Sequence, residues 1–394
     1  LLKAQLHMPR RNTPKALYLL ILSAFCFFFA NPVFGYEPDD DKGSKPAGAA
    51  VEEGHEKKGF NAGEMILEHV ADAHSWHIAG HLAVPLPVII KTDKGFDCFS
   101  SSKLVNEEHI PVPYTTDKYT YKLVENHIKV WDEASGKIDE EATSRIMDFS
   151  ITKNVVSLLI SALLMLWIFL GVAKSYKQRQ GQAPKGLQSW MEPLILFVRD
   201  DIAKPSIGHK YEKFMPYLLT VFFFIWINNL MGIIPFIPGG ANLTGSISVT
   251  MILAILTFIF TLINTNGHYW RHIFAMPGVP IGVLVILTPI EILGVFLKPF
   301  VLMVRLFANI TAGHIIALAF FSLIFIFGEI NVGAGLGVSI VSILFTVFMG
   351  VMELLVAFLQ AYVFTLLSAM YFGGAVEEAH PHEPGHPEAQ IDIV

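Results

Sequence analysis

The sequence predicts an all-α polytopic membrane protein. About five membrane helices are expected, two of them long and tilted, with a small N-terminal extramembrane domain. Three observations predict this class. Of 394 residues, 53% are hydrophobic and only 16% are charged, which is membrane composition. Residues 155–172 are eighteen consecutive uncharged residues, enough to cross about 30 Å of hydrocarbon. Two later apolar runs, 281–327 and 334–374, are each longer than a single perpendicular span needs. The net charge of −6 argues against a nucleic-acid partner.

At the N-terminus, residues 1–36 read as a secretory signal. Arg10, Arg11 and Lys15 form a positive n-region, and Ala16 to Ala30 an apolar h-region. The alternative is an uncleaved membrane helix, for which this stretch is short. Of the two cysteines, Cys26 falls in this stretch and Cys98 stands alone beyond it, so no internal disulfide framework is expected. Residues 37–63, rich in Asp, Glu, Lys, Gly and Pro, read as a disordered linker. Residues 64–150 are expected to form a small exported domain. Within it, Glu64 to Gly80 reads as helical, Leu82 to Ile90 and Asn126 to Trp131 as β-type, and Glu133 to Lys137 as a turn. On one helix, His74, His77 and His81 would share a face, with His69 upstream. A wet surface helix is the default there, and neither a metal nor a cofactor is assigned to the chain.

Residues 151–375 are expected to form the membrane domain. Lys174, Lys177, Arg179 and Lys185 follow the first span and mark its cytoplasmic end. That orientation agrees with an exported N-terminus and puts the C-terminus in the cytoplasm. Gln188 to Val198 reads as an amphipathic interfacial helix. Further spans are expected at Phe214 to Ile234 and Ile247 to Ile263, with His268, Arg271 and His272 on the return loop. As one helix, the run 281–327 would reach roughly 70 Å. It is therefore either two spans or one strongly tilted helix. A loop is expected at Gly328 to Gly337, and residues 334–374 pose the same length question. Residues 376–394 are a polar, His- and Pro-rich tail.

The long runs hold few polar groups, all of types that handle protons or stabilise charge. Arg305 is the most informative, because a charge at mid-bilayer costs roughly 2.5–3.5 kcal/mol on insertion scales. Glu291, Lys298 and Arg305 lie seven and seven residues apart and share one helical stripe. Asn309 is at i+4 from Arg305 on that stripe. His314, nine residues from Arg305, faces the opposite way, where Glu353 of the next run can meet it. Glu353 and Gln360 share a face. A His–Glu pair in a wet pocket is a proton relay. Arginine does not deprotonate, so it acts as an electrostatic gate. The bland readings are structural pairing of Arg305 with Glu353 or Glu291, a packing role for His314, mutual pairing of Glu291 and Lys298, and interhelical hydrogen bonding by Asn229.

The segments Arg305 to His314 and Met352 to Leu367 closely resemble subunit a of F-type ATP synthases. So do Asn229 to Pro235 and Ala241 to Thr250. The resemblance covers roughly residues 150–375. It implies that Arg305, accompanied by Asn309, faces a rotor ring of c subunits. It implies a His/Glu couple at His314 and Glu353, swapped relative to some bacterial members. It also matches Gln360 to a polar residue opposite the arginine and Asn229 to a half-channel asparagine. The implied function is that of a proton-translocating stator subunit in the bacterial inner membrane. The implied partners are the c-ring, the peripheral-stalk b subunits, the catalytic head and lipid. The chain carries no G-x-x-x-x-G-K-[ST] phosphate loop, so ATP chemistry is expected elsewhere in the complex. The rival readings are a stand-alone proton-coupled transporter or channel, and a membrane anchor for the exported domain. The first predicts repeat symmetry, which the sequence does not display. The second gives Arg305, His314 and Glu353 no role.

Overall fold

The computed structural model describes residues 62, 63, 66, 70–79, 82–106, 110–124, 126–234, 240–274 and 279–376. The expected signal sequence, most of the linker and the tail beyond Val376 lie outside the described residues. The chain divides into two units. One takes in residues up to Trp167, Ile227–Val249 and Ala308–Ala357, and the other Ile168–Trp226, Thr250–Phe307 and the chain from Phe358 on.

The first unit begins with a β-rich module. Strands β1 (Ser75–Ala79) and β2 (Leu82–Pro85) form an antiparallel pair. Strand β3 (Pro87–Thr92) is the centre of a three-stranded sheet, between β4 (Gly95–Ser100) and β9 (Met147–Asp148). Strands β5 (Tyr114–Thr115), β6 (Thr120–Val124), β7 (His127–Asp132) and β8 (Lys137–Ile138) form an antiparallel meander. The short helix α1 (Glu140–Arg145) starts where the Asp139 side chain accepts a hydrogen bond from the Ala142 amide. Strand β3 alternates as half-buried strands do: Val88, Ile90 and Thr92 point inward, Pro87 and Lys91 outward. Val88 and Ile90 pack with Leu104, Tyr121, Ile128 and Val130 into one core.

The helix expected over Glu64 to Gly80 is corrected at its C-terminal end, where Ser75–Ala79 is a strand. Pairing with β2 and burial of Trp76 favour the extended form over local propensity. His74 and His77 therefore do not share a helical face, and His69 and His81 lie outside the described residues. His74 Nε2 lies 3.4 Å from Asp148 Oδ2 instead. Burial opposes the Asp148 carboxylate, but hydrogen bonds from His74 and Ser150 outweigh it and hold its pKa below the ordinary value.

Helix α2 (Lys153–Gln178) covers the first expected span. Helix α3 (Leu187–Phe197) runs through a π-helical segment, Val198–Ala203, and two short turns into α4 (Tyr211–Ile233). Helices α5 (Ile247–Ile263) and α6 (Gly267–Phe274) bend by 104° at their junction. The length question has one answer for both long runs: each is a single helix, α7 (Ile281–Ile330, 50 residues) and α8 (Val332–Val376, 45 residues). Among the described residues, four helices are long and apolar enough to cross a membrane, or five if the bent pair is one broken span.

The loop expected at Gly328 to Gly337 is also corrected, because Asn331 alone separates α7 from α8. The Asn331 side chain accepts a hydrogen bond from the Gly333 amide at 2.7 Å, which caps α8. A Cβ on Gly335 would come within 2.8 Å of the Gly328 backbone, so glycine permits the tight reversal. In the second unit, Phe214, Tyr217, Phe260 and Phe372 form an aromatic core, with Phe214 and Phe372 stacked at 5.0 Å.

Candidate functional site

Within the first unit, α4, α7 and α8 line a cavity of about 60 Å³. One water needs roughly 10–15 Å³, so several fit. Its polar lining is Asn229, Asn309, His314 and Glu353, set among Ile233, Met349 and Val356. His314 Nδ1 lies 3.7 Å from Glu353 Oε1, and the two side chains are 19% and 14% exposed. Helical spacing puts His314 on the α8-facing side of α7, and the long continuous helices carry that register without a break. A Cβ on Gly313 would stand 3.2 Å from Glu353 Oε1, so glycine there leaves the acid its place.

Among the described residues, Glu353 Oε1 is buried and has no hydrogen-bond partner. A carboxylate oxygen in that state needs water, a proton or a neighbouring cation. The cavity supplies room for water, and His314 supplies a base that can carry charge. Such a pair can pass a proton and return to its starting state.

Asn229 is 3% exposed and committed on both sides of its amide. Its Nδ2 donates to the Ala357 carbonyl at 3.1 Å, and its Oδ1 accepts from the Thr244 hydroxyl at 2.5 Å. It ties α4 to α8 and to the turn at Leu243–Gly245 while one face lines the cavity. Thr244 carries no periodic signal in the sequence; it lies in the Ala241 to Thr250 segment, and this contact gives it a partner. Asn309 is exposed and lines the cavity, in addition to sharing the Arg305 stripe by spacing.

The other predicted residues belong to the second unit. Arg305 is exposed on α7 and, among the described residues, makes no hydrogen bond or ion pair. Gln360 is buried, at 6% exposure, on α8. Glu291 is half-buried, and Lys298 lies over the Tyr371 ring at 5.6 Å. Lys298 and Tyr371 line a small cleft with Thr257, Thr261 and Tyr269. The sequence reading missed Tyr371. Its spacing held a signal: eleven residues beyond Gln360 and eighteen beyond Glu353 it returns to the same stripe of α8. Among the described residues, no group of three or more His, Cys, Asp or Glu side chains is placed to hold a metal ion.

The chain matches the ATP synthase A chain family over residues 155–373. Residues 65–149 match a domain of unknown function, DUF8433. A protein named ATP synthase subunit a from Chloroherpeton thalassium is 45% identical over 251 residues, 61% of this chain and 72% of its own length. One named ATP synthase subunit a 2 from Chlorobaculum tepidum is 47% identical over 245 residues, 61% of this chain and 66% of its own length. A third, ATP synthase subunit a from Myxococcus xanthus, is 39% identical over 254 residues, 62% of this chain and 79% of its own length.

Proposed function

This chain belongs to the ATP synthase A chain family, and from that premise we propose that it carries protons through two offset half-channels to a ring of c subunits. It is a multi-pass membrane subunit of the F-type ATP synthase. The observation that carries the reading is the His314–Glu353 pair beside a water-sized cavity, with Glu353 Oε1 lacking a hydrogen bond among the described residues.

A proton entering the cavity exchanges with the His314–Glu353 pair, an imidazole base beside a carboxylate. It then passes to a carboxylate on a neighbouring ring subunit. Once neutral, that carboxyl turns into lipid, because the penalty for desolvating charge is gone. After nearly one revolution it releases its proton into the second half-channel. Glu291 and Lys298 share the Arg305 stripe and support that second path. Arg305 is an exposed cation on an apolar helix, so a partner must provide its counter-charge. It holds the returning ring carboxylate ionised and blocks a direct leak. Asn229 is a positioning residue that ties α4 to α8, and Gln360 is the polar residue that the family resemblance sets opposite Arg305.

The proposed orientation exports the β-rich module and leaves Lys174, Lys177, Arg179 and Lys185 in the cytoplasm. The peripheral-stalk b subunits and the catalytic head complete the proposed complex, and ATP chemistry belongs to that head.

The test is ATP-driven acidification of inverted membrane vesicles, comparing the native chain with Arg305→Ala at equal assembly of the complex. Loss of pumping with intact assembly supports the gate. Normal pumping by the variant would overturn it and favour the membrane-anchor or stand-alone transporter reading.

A further inference from the structure

The domain of unknown function is not a loosely tethered appendage. Helix α2 takes acceptors for its first amides from the module. The Asn154 amide donates to Asp72 Oδ1 at 3.0 Å, and the same oxygen accepts from the Ala73 amide at 2.9 Å. The Lys153 amide donates to the Ala73 carbonyl at 2.9 Å, and Lys153 Nζ to the Ala71 carbonyl at 3.3 Å. The first amides of a helix need such acceptors, and a carboxylate there also complements the helix dipole. The sheet reaches the helix without slack. The Phe149 amide donates to the Ile89 carbonyl at 2.7 Å, and the Ile151 amide to the Pro87 carbonyl at 3.0 Å, two residues before α2 begins. The module is therefore held in a fixed attitude to the first turn of a membrane-crossing helix.

One face of its three-stranded sheet is unusual for a water-soluble surface. The register pairs Lys91 with Phe96 on one side and Met147 on the other, and Ile89 with Cys98. These residues and Phe149 point away from the core. Phe96 is 64% exposed, Met147 58% and Phe149 38%. Together they leave an apolar patch on the order of 300 Å², the size at which such patches mark interaction sites. Lys91 is its one charge. Phe149 is four residues from the start of α2, at most about 14 Å along an extended chain. The headgroup zone on each side of the hydrocarbon is about 5–8 Å deep.

We propose that this face of the module, formed by Phe96, Met147, Phe149 and Lys91, lies on the lipid headgroups of the membrane that α2 crosses. Continuity argues for lipid as the occupant. The patch is carried on the strand that leads into a lipid-crossing helix, and the Asp72 clamp keeps it near that level. Its chemistry agrees: aromatic and thioether side chains enter the interface, and a single lysine reaches up to anionic phosphates. The module then acts as a foot that fixes the depth and tilt of α2.

Cys98, exposed on this face, is the reporter. In a Cys26→Ser background, the full chain in its complex is labelled at Cys98 with a fluorophore and reconstituted in anionic nanodiscs. Half of the preparations contain lipid brominated close to the headgroup. The control label sits at the exposed turn, using Glu133→Cys with Cys98→Ser. Quenching several-fold greater at position 98 than at 133, and reduced by Asp72→Ala, supports the proposal. Equal, weak quenching at both positions overturns it. Protection of Cys98 from a water-soluble quencher without lipid quenching also overturns it, in favour of a protein partner on this face.

Discussion

Two buried carboxylates in the first unit meet opposite fates. Asp97, in the β-rich module, is held by Lys118 Nζ at 2.9 Å, the Tyr121 hydroxyl at 2.7 Å and the Thr116 hydroxyl at 3.0 Å. Burial opposes its charge, yet these bonds outweigh burial and hold its pKa below the ordinary value. Glu353, between the long helices, has one oxygen with no hydrogen bond among the described residues, a histidine at 3.7 Å and a cavity with room for water. A saturated acid is locked into one protonation state and serves the fold. An unsaturated acid beside a base is free to change state, as the proposed transport role requires.

The largest effect should come from breaking the unsaturated site. Glu353→Gln keeps the shape and removes the proton exchange. General acid–base groups contribute about 10²–10⁴-fold, so passive proton flux through the membrane sector should fall by about 100-fold or more. Complex yield should not fall, because no satisfied network is lost. Flux measured by a pH-sensitive dye in head-stripped vesicles, beside native-gel yields, decides this. Unchanged flux would mean that Glu353 is as structural as Asp97.

Asp97→Ala should behave in the reverse way. It leaves Lys118 and Tyr121 without their partner, and breaking a buried charge pair costs about 3–5 kcal/mol. Lys118 is 23% exposed, which puts the loss near the lower bound. Amide exchange in β3, β4, β6 and β7 should rise about 100-fold, while proton flux stays near native. Unchanged exchange would show that the network is ornamental to the fold.

The smallest effect is a graded one with pH. Asp97 and Asp148 have folded pKa values below the ordinary value, about 3.9. Their stabilisation is fully present above the unfolded pKa and is lost as pH falls through the folded values. Burial and the Asp97 carboxylate push the Tyr121 phenol upward. That contribution is present below about pH 10 and is lost as pH rises toward the folded value. Thermal unfolding followed by near-ultraviolet circular dichroism should give a plateau falling at both ends, with the acid limb shallower in Asp97→Asn. A flat acid limb in the native chain would show that these two carboxylates contribute nothing.

The membrane part of the fold was legible because its information is one-dimensional. An apolar run of sufficient length must become a helix in lipid, since the backbone has no other hydrogen-bond partners there. The seven-residue spacing of Glu291, Lys298 and Arg305, and the half-turn offset of His314, follow from helix pitch alone. Two local errors have physical causes. Ser75–Ala79 became a strand because β2 pairs with it, and pairing partners are invisible to local propensity. The glycine-rich stretch at 328–337 read as a loop by composition. Gly335 instead lets a one-residue turn close against Gly328.

The sequence by itself determined the class of protein, the helical stripes, and the identity of Arg305, His314 and Glu353 as polar or charged groups that lipid alone cannot accommodate. Periodicity and desolvation cost are properties of a single segment, so they can be read without a fold. Only the tertiary structure decided that each long run is one helix and that His314 stands 3.7 Å from Glu353. It alone revealed that Asn229 is spent on Thr244 and Ala357, and that Asp72 caps a helix 82 residues away. Those facts depend on which segments meet, and meeting is set by packing between elements far apart in the chain.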